Sequence, residues 1–345
     1  DQASSARMKI HYGRRQWKLG SKPVGWGADE RIDTLESMGL PTTLSVLSLN
    51  LWHDSGPYAE RAKRLREWID RLDPDLIGFQ EALRGRRVDQ VADLLDGRGY
   101  HTDYVCASKF EREGVGTMEF GNAIASRWPI VDREALQLPD AGDAETRVAL
   151  STTIDSPHGP IGFTCTHLHW KWRHGETRER QVVALCELAL RRRPRDGFPL
   201  LIVGDFNAAP ESAEIRYVSG LQSLAGRSVA LLDAWTTAGS GGPGHTWSND
   251  NRYARADLEP NRRIDYVFAG FPNRNGVGQF VSCEVVCNDE RGGVWPTDHF
   301  GVFARLRTEP SVEREDQWGL AGGDDVSVFS HAESRAQSDD GPVED

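Results

Sequence analysis

Leu201-Ile202-Val203-Gly204-Asp205-Phe206-Asn207 is the stretch that decides how this chain is read. Three branched apolar residues in succession fit a buried strand, and Gly204 lets the backbone turn tightly where the strand runs out. Asp205 and Asn207 are alternate residues, which an extended backbone points the same way. A carboxylate beside a carboxamide at the carboxyl end of a strand suits a hydrolytic site. The first can orient or deprotonate water, and the second can donate to a developing negative charge. Gly-Asp-x-Asn is also ordinary turn chemistry after a strand, so the surroundings decide between the two.

Upstream, Leu44 to Asn50 alternates apolar and polar residues, a strand that delivers Asn50 at its end. Arg61 to Leu72 has helical spacing (Ala62, Leu65, Trp68, Ile69, Leu72) and stops at Asp73-Pro74. Asp75 to Glu81 reads as the next strand with Glu81 at its end, and Val88 to Leu95 as a second helix. This β-α-β-α rhythm signals a layered α/β fold. Further strands are expected at Tyr100–Cys106, Asn122–Ser126, Arg147–Ile154, Ile161–His167, Arg263–Ala269, Gln279–Val286 and His299–Leu306. Glu176–Arg193 and Glu211–Val218 read as helices. Loops join most of the later strands, so the sheets should be mixed or antiparallel.

The bulk numbers bound the function. Net charge over the 345 residues is −11, but the segment from Glu309 to Asp345 holds eleven acidic and two basic residues, a local −9 that leaves about −2 for the rest. A nearly neutral body lacks the basic track that a non-specific grip on long DNA needs. It is compatible with a small phosphorylated substrate held by a few cations. The five cysteines form no Cys-x-x-Cys pair and read as free thiols. No apolar run of about eighteen residues is present, so no membrane span is expected and a cytoplasmic location is the expectation. The expected organisation is an N-terminal extension over 1–43, a catalytic domain over 44–308 and an acidic, disordered tail over 309–345.

The polar residues that end or flank the apolar runs are Asn50, Glu81, His167, Asp205 with Asn207, Asp265, and Asp298 with His299. Such positions are where α/β enzymes put their working groups. A hard cation such as Mg²⁺ takes oxygen ligands. Glu81 is the best of these by type, with Asn50 and Asp298 able to complete a metal site. With Ser-Leu-Asn50-Leu, Gly-Phe-Gln-Glu81, Gly121-Asn-Ala-Ile-Ala-Ser126, Thr166-His167-Leu, Gly-Asp205-Phe-Asn207, Arg263-Ile-Asp265-Tyr-Val and Thr297-Asp298-His299-Phe-Gly in this order, the chain resembles the endonuclease/exonuclease/phosphatase family of metal-dependent phosphoesterases. The resemblance runs from about Leu44 to Leu306. It implies an α/β (α+β) fold, a four-layer α/β sandwich of two mixed β-sheets packed face to face and flanked by helices.

The resemblance also implies roles. Glu81 is similar to the principal ligand of Mg²⁺ (or Mn²⁺), with Asn50 beside it. His167 resembles the histidine that contacts the scissile phosphate. Asp205 resembles the group that positions or deprotonates water, and Asn207 its partner in transition-state stabilisation. Asp265 resembles the carboxylate that orients His299, and either Asp205 or His299 takes the proton. Nuclease members often carry Asp two residues after the Asn, where this chain has Trp52.

The substrate has to be read from other loops. Arg84 and Arg87 follow Glu81 and offer to bind extra phosphates. His169, Trp170, Lys171 and Arg173 mix cations with indoles, suited to stacking on a base or sugar while pairing with phosphate. Arg255 and Arg263 belong to a second cationic loop, and Arg147 is expected to support the sheet beneath the site. The leading expectation is a phosphoesterase acting on a phosphorylated small molecule or a nucleic-acid end. A DNA or RNA nuclease and an inactive binding module on the same fold are the alternatives.

Overall fold

The computed structural model of the chain describes residues 42–143 and 145–311. The expected extension (1–43) and acidic tail (309–345) therefore lie almost wholly outside the described residues. Within them, two mixed sheets pack face to face. The first has the order β12-β13-β1-β2-β5-β4, with β3 appended to β2: Phe280–Val286, Gly301–Arg307, Thr43–Asn50, Leu76–Gly85, Gly116–Ser126 and His101–Arg112, with Val88–Asp89 as β3. The second has the order β10-β11-β9-β8-β7-β6: Leu232–Asp233, Asp265–Ala269, Phe198–Asp205, Gly159–His167, Val148–Ser156 and Ile130–Gln137.

The two-residue period of the strands sorts their side chains onto two different cores. Leu44 and Val46 of β1, with Leu201 and Val203 of β9, fill the layer between the sheets. Leu47 and Leu49 of β1 turn the other way, against helix α1 (Tyr58–Leu72), while Leu200 and Ile202 face a second helical layer. Both strands are thus buried on both faces. Strand β9 reads as a nearly continuous apolar run for that reason, whereas the alternation in β1 does not mark an exposed face, since Ser45 and Ser48 are buried as well. The sheets meet closely at Gly78, where an added Cβ would lie 2.3 Å from Val203 Cγ2. The result is the four-layer α/β sandwich.

Helix α1 buries Ala62, Leu65, Trp68 and Ile69, and each such large side chain contributes about 1.5–3 kcal/mol by leaving water. It ends on Asp73 in the left-handed conformation, whose N–H bonds Ile69 O, and Pro74 bars continuation. Helix α2 (Gln90–Leu95) starts two residues later than the pattern predicts. Val88 and Asp89 pair with Gly85 and Arg84 instead, and the Asp89 side chain then caps the helix on Ala92 N. Helix α3 (Gly175–Arg192) lies over the second sheet, and α4 (Ala213–Val218), α5 (Ala234–Ala238) and α6 (Arg252–Arg255) are short. Strands β6, β10 and the first half of β5 have no counterpart in the sequence reading. They are largely exposed or very short, so they lack an apolar signature.

Strand β2 departs most usefully from expectation. It does not end at Glu81 but runs on to Gly85 through a bulge between Phe79 and Ala82. Glu81 sits at that bulge with φ +56°, which re-aims its side chain while pairing resumes beyond it.

Candidate active site

Register brings the expected residues to one edge of the sandwich. Asn50 closes β1, His167 closes β8 and Asp205 closes β9, with His167 directly opposite Asp205 in the parallel β8–β9 pair. Asp265 opens β11, which runs antiparallel to β9, so its first residue faces Asp205, the last residue of β9. Asp298 and His299 likewise precede β13, the antiparallel neighbour of β1. The parallel pairings of β1 with β2 and of β8 with β9 end at this edge while the antiparallel neighbours β13 and β11 start there, so polar residues at both kinds of end meet.

Gly204 is not a turn residue, as first read. It lies within β9, paired on both sides, and its Cβ would fall 2.2 Å from the Thr166 carbonyl oxygen. Only glycine admits that approach. The turn comes at Asn207 (φ +51°), whose N–H donates 2.8 Å to Asp205 Oδ1. Asp205 and Asn207 consequently do not project side by side. One N–H of Asn207 Nδ2 donates to Leu168 O, 3.1 Å away, so Asn207 holds the Asp205 carboxylate and the residue that follows β8, while its second amide N–H has no bond of its own among the described residues.

Asp205 Oδ2 is the focus. Asn50 Nδ2 donates to it at 3.1 Å, His167 Nε2 lies at 3.4 Å and His299 Nε2 at 3.8 Å. Asn50 Nδ2 also reaches Glu81 Oε1 at 3.3 Å, while its Oδ1 accepts from Trp52 N–H. Asn50 is therefore a strut between the two carboxylates, with its own oxygen turned toward the backbone. His299 Nδ1 donates to Asp265 Oδ2 at 2.9 Å, and Trp247 packs edge-on against its ring. Asp265 is fixed in turn by Thr246, whose hydroxyl accepts from Ile264 N–H and Asp265 N–H.

Burial and charge push these groups apart in pKa. Burial alone would pull His299 down, but Asp265, Asp205 and Asp298 together hold it well above the ordinary histidine value. His167 goes the other way, driven below it by burial and by the Arg147, His299 and His169 charges. Burial raises Asp205 to about 7, with the Asp265 charge adding and His299 opposing. Asp298 also rises to about 7, first by burial and then against His299, with Glu81 among the groups pushing it up. Carboxylates that press on one another in this way are a donor set a hard divalent cation would relieve, and Glu81 with Asp298 fits Mg²⁺ by chemistry. Asp205, Asp265 and His299 also have ligand atoms within 4.8 Å of one another. Asp265 Oδ2 and His299 Nδ1 are engaged with each other, while Asp265 Oδ1 has no hydrogen-bond partner among the described residues and His299 Nε2 faces Asp205.

The expected substrate loops are more self-contained than the sequence suggests. His169 is fully buried, with Nδ1 accepting from Lys171 N–H. Lys171 pairs with Asp143 at 2.7 Å, Trp170 Nε1 donates to Glu145, and Trp172 Nε1 to Glu259. Arg178, itself paired with Glu214, holds the His169, Lys171 and Trp172 carbonyls from behind. Asp143, His169 and His174 have ligand atoms within 4.8 Å of one another, yet Lys171 Nζ already bonds Asp143, Lys171 N–H bonds His169 Nδ1 and Arg173 Nε bonds His174 Nε2. Arg263 is buried, its guanidinium on Asp233 at 2.7 Å, which withdraws it from a substrate face. Arg84 pairs with Asp89, and Arg87, Arg173 and Arg255 are exposed.

Two arginines that the sequence reading passed over or misplaced stand close to the chemistry. Arg147, expected to support the sheet, donates 2.9 Å to His167 Nδ1. Arg61 is fully buried and donates to the carbonyls of Leu51, Trp52, His53, Ser55 and Pro296, joining the end of β1 to the loop that carries Asp298. Asn251 completes that clamp through the Thr297 and Asp298 carbonyls. A buried guanidinium serving carbonyls leaves no pattern in local sequence.

A model of the endonuclease/exonuclease/phosphatase family matches residues 47–299. Protein angel homolog 2 of Bos taurus is 27% identical over 256 residues, covering 61% of this chain and 44% of that protein. Protein angel of Drosophila melanogaster is 26% identical over 185 residues, covering 50% of each. The chain spans about half the length of these curated relatives. Among solved structures, TDP2 of D. rerio complexed with single strand DNA product superposes with a TM-score of 0.60 at 18% identity, covering 77% of this chain and 99% of that one. The human Nocturnin catalytic domain with bound sulfate gives 0.57 at 19% identity, covering 77% and 93%. An endonuclease/exonuclease/phosphatase from Beutenbergia cavernae gives 0.57 at 23% identity, covering 77% and 71%. These likenesses establish the shared fold.

Proposed function

The chain belongs to the endonuclease/exonuclease/phosphatase family, and on that premise we propose that it is a divalent-metal-dependent hydrolase of phosphoester bonds acting on a compact substrate: a nucleotide, a nucleic-acid end or another small phosphorylated compound. The observation that carries this reading is the convergence of Asn50, His167 and His299 on one buried oxygen, Asp205 Oδ2, with Glu81 and Asp298 alongside.

Glu81 and Asp298 would hold Mg²⁺ (or Mn²⁺), with Asn50 steadying Glu81, and the bound ion supplies Lewis acidity and neutralises phosphate charge. Asp205 takes the proton from attacking water. Its pKa near 7 suits a general base, which works best close to the operating pH. The Asn207 N–H on Oδ1 leaves Oδ2 as the oxygen facing the reaction. His299 is the less suited of the two as base, because its carboxylate neighbours favour its protonated form. It stands instead as a cation and Nε2–H donor against developing phosphate charge. Asp265 orients it and stabilises its charge.

Compactness is supported by the loops. Lys171, Arg263 and Arg262 are neutralised by Asp143, Asp233 and Glu259, which among the described residues shortens any basic track for duplex DNA. The test is a substrate panel in Mg²⁺ with and without EDTA: bis(4-nitrophenyl) phosphate, 4-nitrophenyl phosphate, mononucleotides, end-modified oligonucleotides and supercoiled plasmid. EDTA-sensitive turnover of small esters or oligonucleotide ends, abolished by Glu81→Gln, is expected. Efficient degradation of plasmid would overturn the compact-substrate reading, and activity that survives both EDTA and Glu81→Gln would overturn the metal site.

A further inference from the structure

The two histidines at Asp205 are held by opposite partners. His299 Nδ1 faces a carboxylate, whereas His167 Nδ1 faces a guanidinium. We propose that Arg147 is a positioning residue that fixes His167 as the Nε2–H tautomer, making it a neutral hydrogen-bond donor toward the reacting phosphate. What the donor serves rests on the phosphoesterase reading; the tautomer does not.

The argument is one of valence. A guanidinium has only N–H groups to offer, so at 2.9 Å from Arg147 Nη1 the Nδ1 atom of His167 must present its lone pair. The ring proton then sits on Nε2, the nitrogen 3.4 Å from Asp205 Oδ2. A second proton on Nδ1 would set N–H against N–H. The ring is 3% exposed, and Phe120 lies across it with centroids 6.4 Å apart. The charged or titratable groups that act on it are Arg147, His299 and His169, all opposing a second positive charge, and Asp205, which favours one.

Arg147 cannot swing away to relieve this contact. It immediately precedes β7, is 4% exposed, and has Glu145 Oε2 at 3.3 Å, with Glu81, Asp205 and Asp143 also acting on its charge. Its Nε has no partner, so the side chain is placed for His167 and Glu145 alone. The site thereby places a neutral imidazole, His167, beside Asp205 Oδ2, opposite the ring of His299 that Asp265 holds. An arginine is suited to this task because it stays protonated at any working pH.

The experiment is long-range ¹H–¹⁵N NMR of the histidine rings in the full chain, without metal, from pH 5 to 8.5, with His167 assigned by His167→Gln. The Nε2–H tautomer, unchanged across the range, is expected. Arg147→Met should release the ring to titrate, and Arg147→Lys, which restores a cationic donor, should suppress that titration. With bis(4-nitrophenyl) phosphate, Arg147→Met should lower kcat most above pH 7, where the released neutral ring is free to carry its proton on Nδ1, with recovery toward lower pH, where the doubly protonated ring again offers Nε2–H. An Nδ1–H tautomer in the unsubstituted protein overturns the proposal, as does His167 titrating near its ordinary value. Arg147→Met keeping an untitrated Nε2–H ring overturns it as well. If circular dichroism shows that Arg147→Met does not fold, the unsubstituted and Arg147→Lys spectra decide alone. If nothing is hydrolysed while the Nε2–H signal stands, the phosphoesterase reading fails and the tautomer assignment survives.

Discussion

Replacing Asp265 by Asn isolates the charge that keeps His299 protonated while leaving the shape of the pair. Asp265 Oδ2 is 2.9 Å from His299 Nδ1 and Asp205 Oδ2 is 3.8 Å from Nε2. At an effective dielectric of about 20 these separations correspond to roughly 6 and 4 kcal/mol of gross attraction. The substitution removes the larger of the two, while the burial that disfavours the imidazolium stays, as does the weaker pull of Asp205 and Asp298. His299 should then titrate near or below its ordinary value of about 6.5. At pH 8 the variant would present a neutral ring where the intact site presents a cation. A lost charge at a reacting phosphate corresponds to a rate loss of about 100- to 10,000-fold. The loss should shrink toward pH 6 as the ring regains its proton, so the variant-to-intact ratio of kcat/KM should fall as pH rises. The assay is hydrolysis of bis(4-nitrophenyl) phosphate in saturating Mg²⁺ over pH 5.5 to 9. A kcat/KM within twofold of the unsubstituted protein at every pH would refute the argument, as would a loss that does not change with pH.

Gly204→Ala should cost about 1–3 kcal/mol as overpacking, since its Cβ would lie 2.2 Å from a backbone oxygen that cannot rotate away. It should also cut activity by at least tenfold below the melting transition, because β8 and β9 carry His167 and Asp205; a thermal melt and rate both unchanged would count against the close-approach account. Asp205 and Asp298 titrate near 7 in the folded chain, against about 3.8 as ordinary carboxyls. The folded state therefore binds more protons through that window, and the metal-free protein should lose stability as pH rises from about 4 to 7, by at most about 4 kcal/mol per carboxyl. Stabilisation by Mg²⁺ should grow over the same range and level off above it, and thermal melts with Mg²⁺ or EDTA that show a pH-independent difference would contradict this. Glu214→Ala should destabilise by roughly 3–5 kcal/mol, as expected for a buried partner left uncompensated, because it strands Arg178. Urea unfolding measures it, and a change below about 0.5 kcal/mol would show that the loop from His169 to Trp172 is not held as described.

Much of this architecture was legible because its signals are local. A strand buried on both faces is predominantly apolar, as Leu200–Val203 shows, and β1 is legible through Leu44, Val46, Leu47 and Leu49 although the buried Ser45 and Ser48 interrupt them. Helix α1 announces itself through Ala62, Leu65, Trp68 and Ile69, and its end through Asp73-Pro74. The residues that ring the site were legible for the same reason: each stands where an apolar run begins or stops. The exposed strand β6 and the two-residue β10 carry no such contrast and went unread.

What sequence could not carry was the direction in which each polar group is turned, because that depends on neighbours far along the chain. Arg147 lies 20 residues from His167 and Arg61 lies 235 from Pro296, and no local period encodes either contact. Asp143, Asp233 and Glu259 take up cations that composition alone would have offered to a substrate. The bulge at Glu81 is likewise a product of pairing rather than of residue preference, whereas the left-handed Asn207 is a conformation its residue type tolerates. Sequence by itself determined a layered α/β fold with mixed sheets and the residues available at strand ends, through apolar periodicity and its interruptions, while the four-layer sandwich came from the family resemblance of its motifs. Tertiary structure decided which of them share Asp205, which histidine carries charge and which cations remain for substrate, since burial and the partner of each buried group set those states.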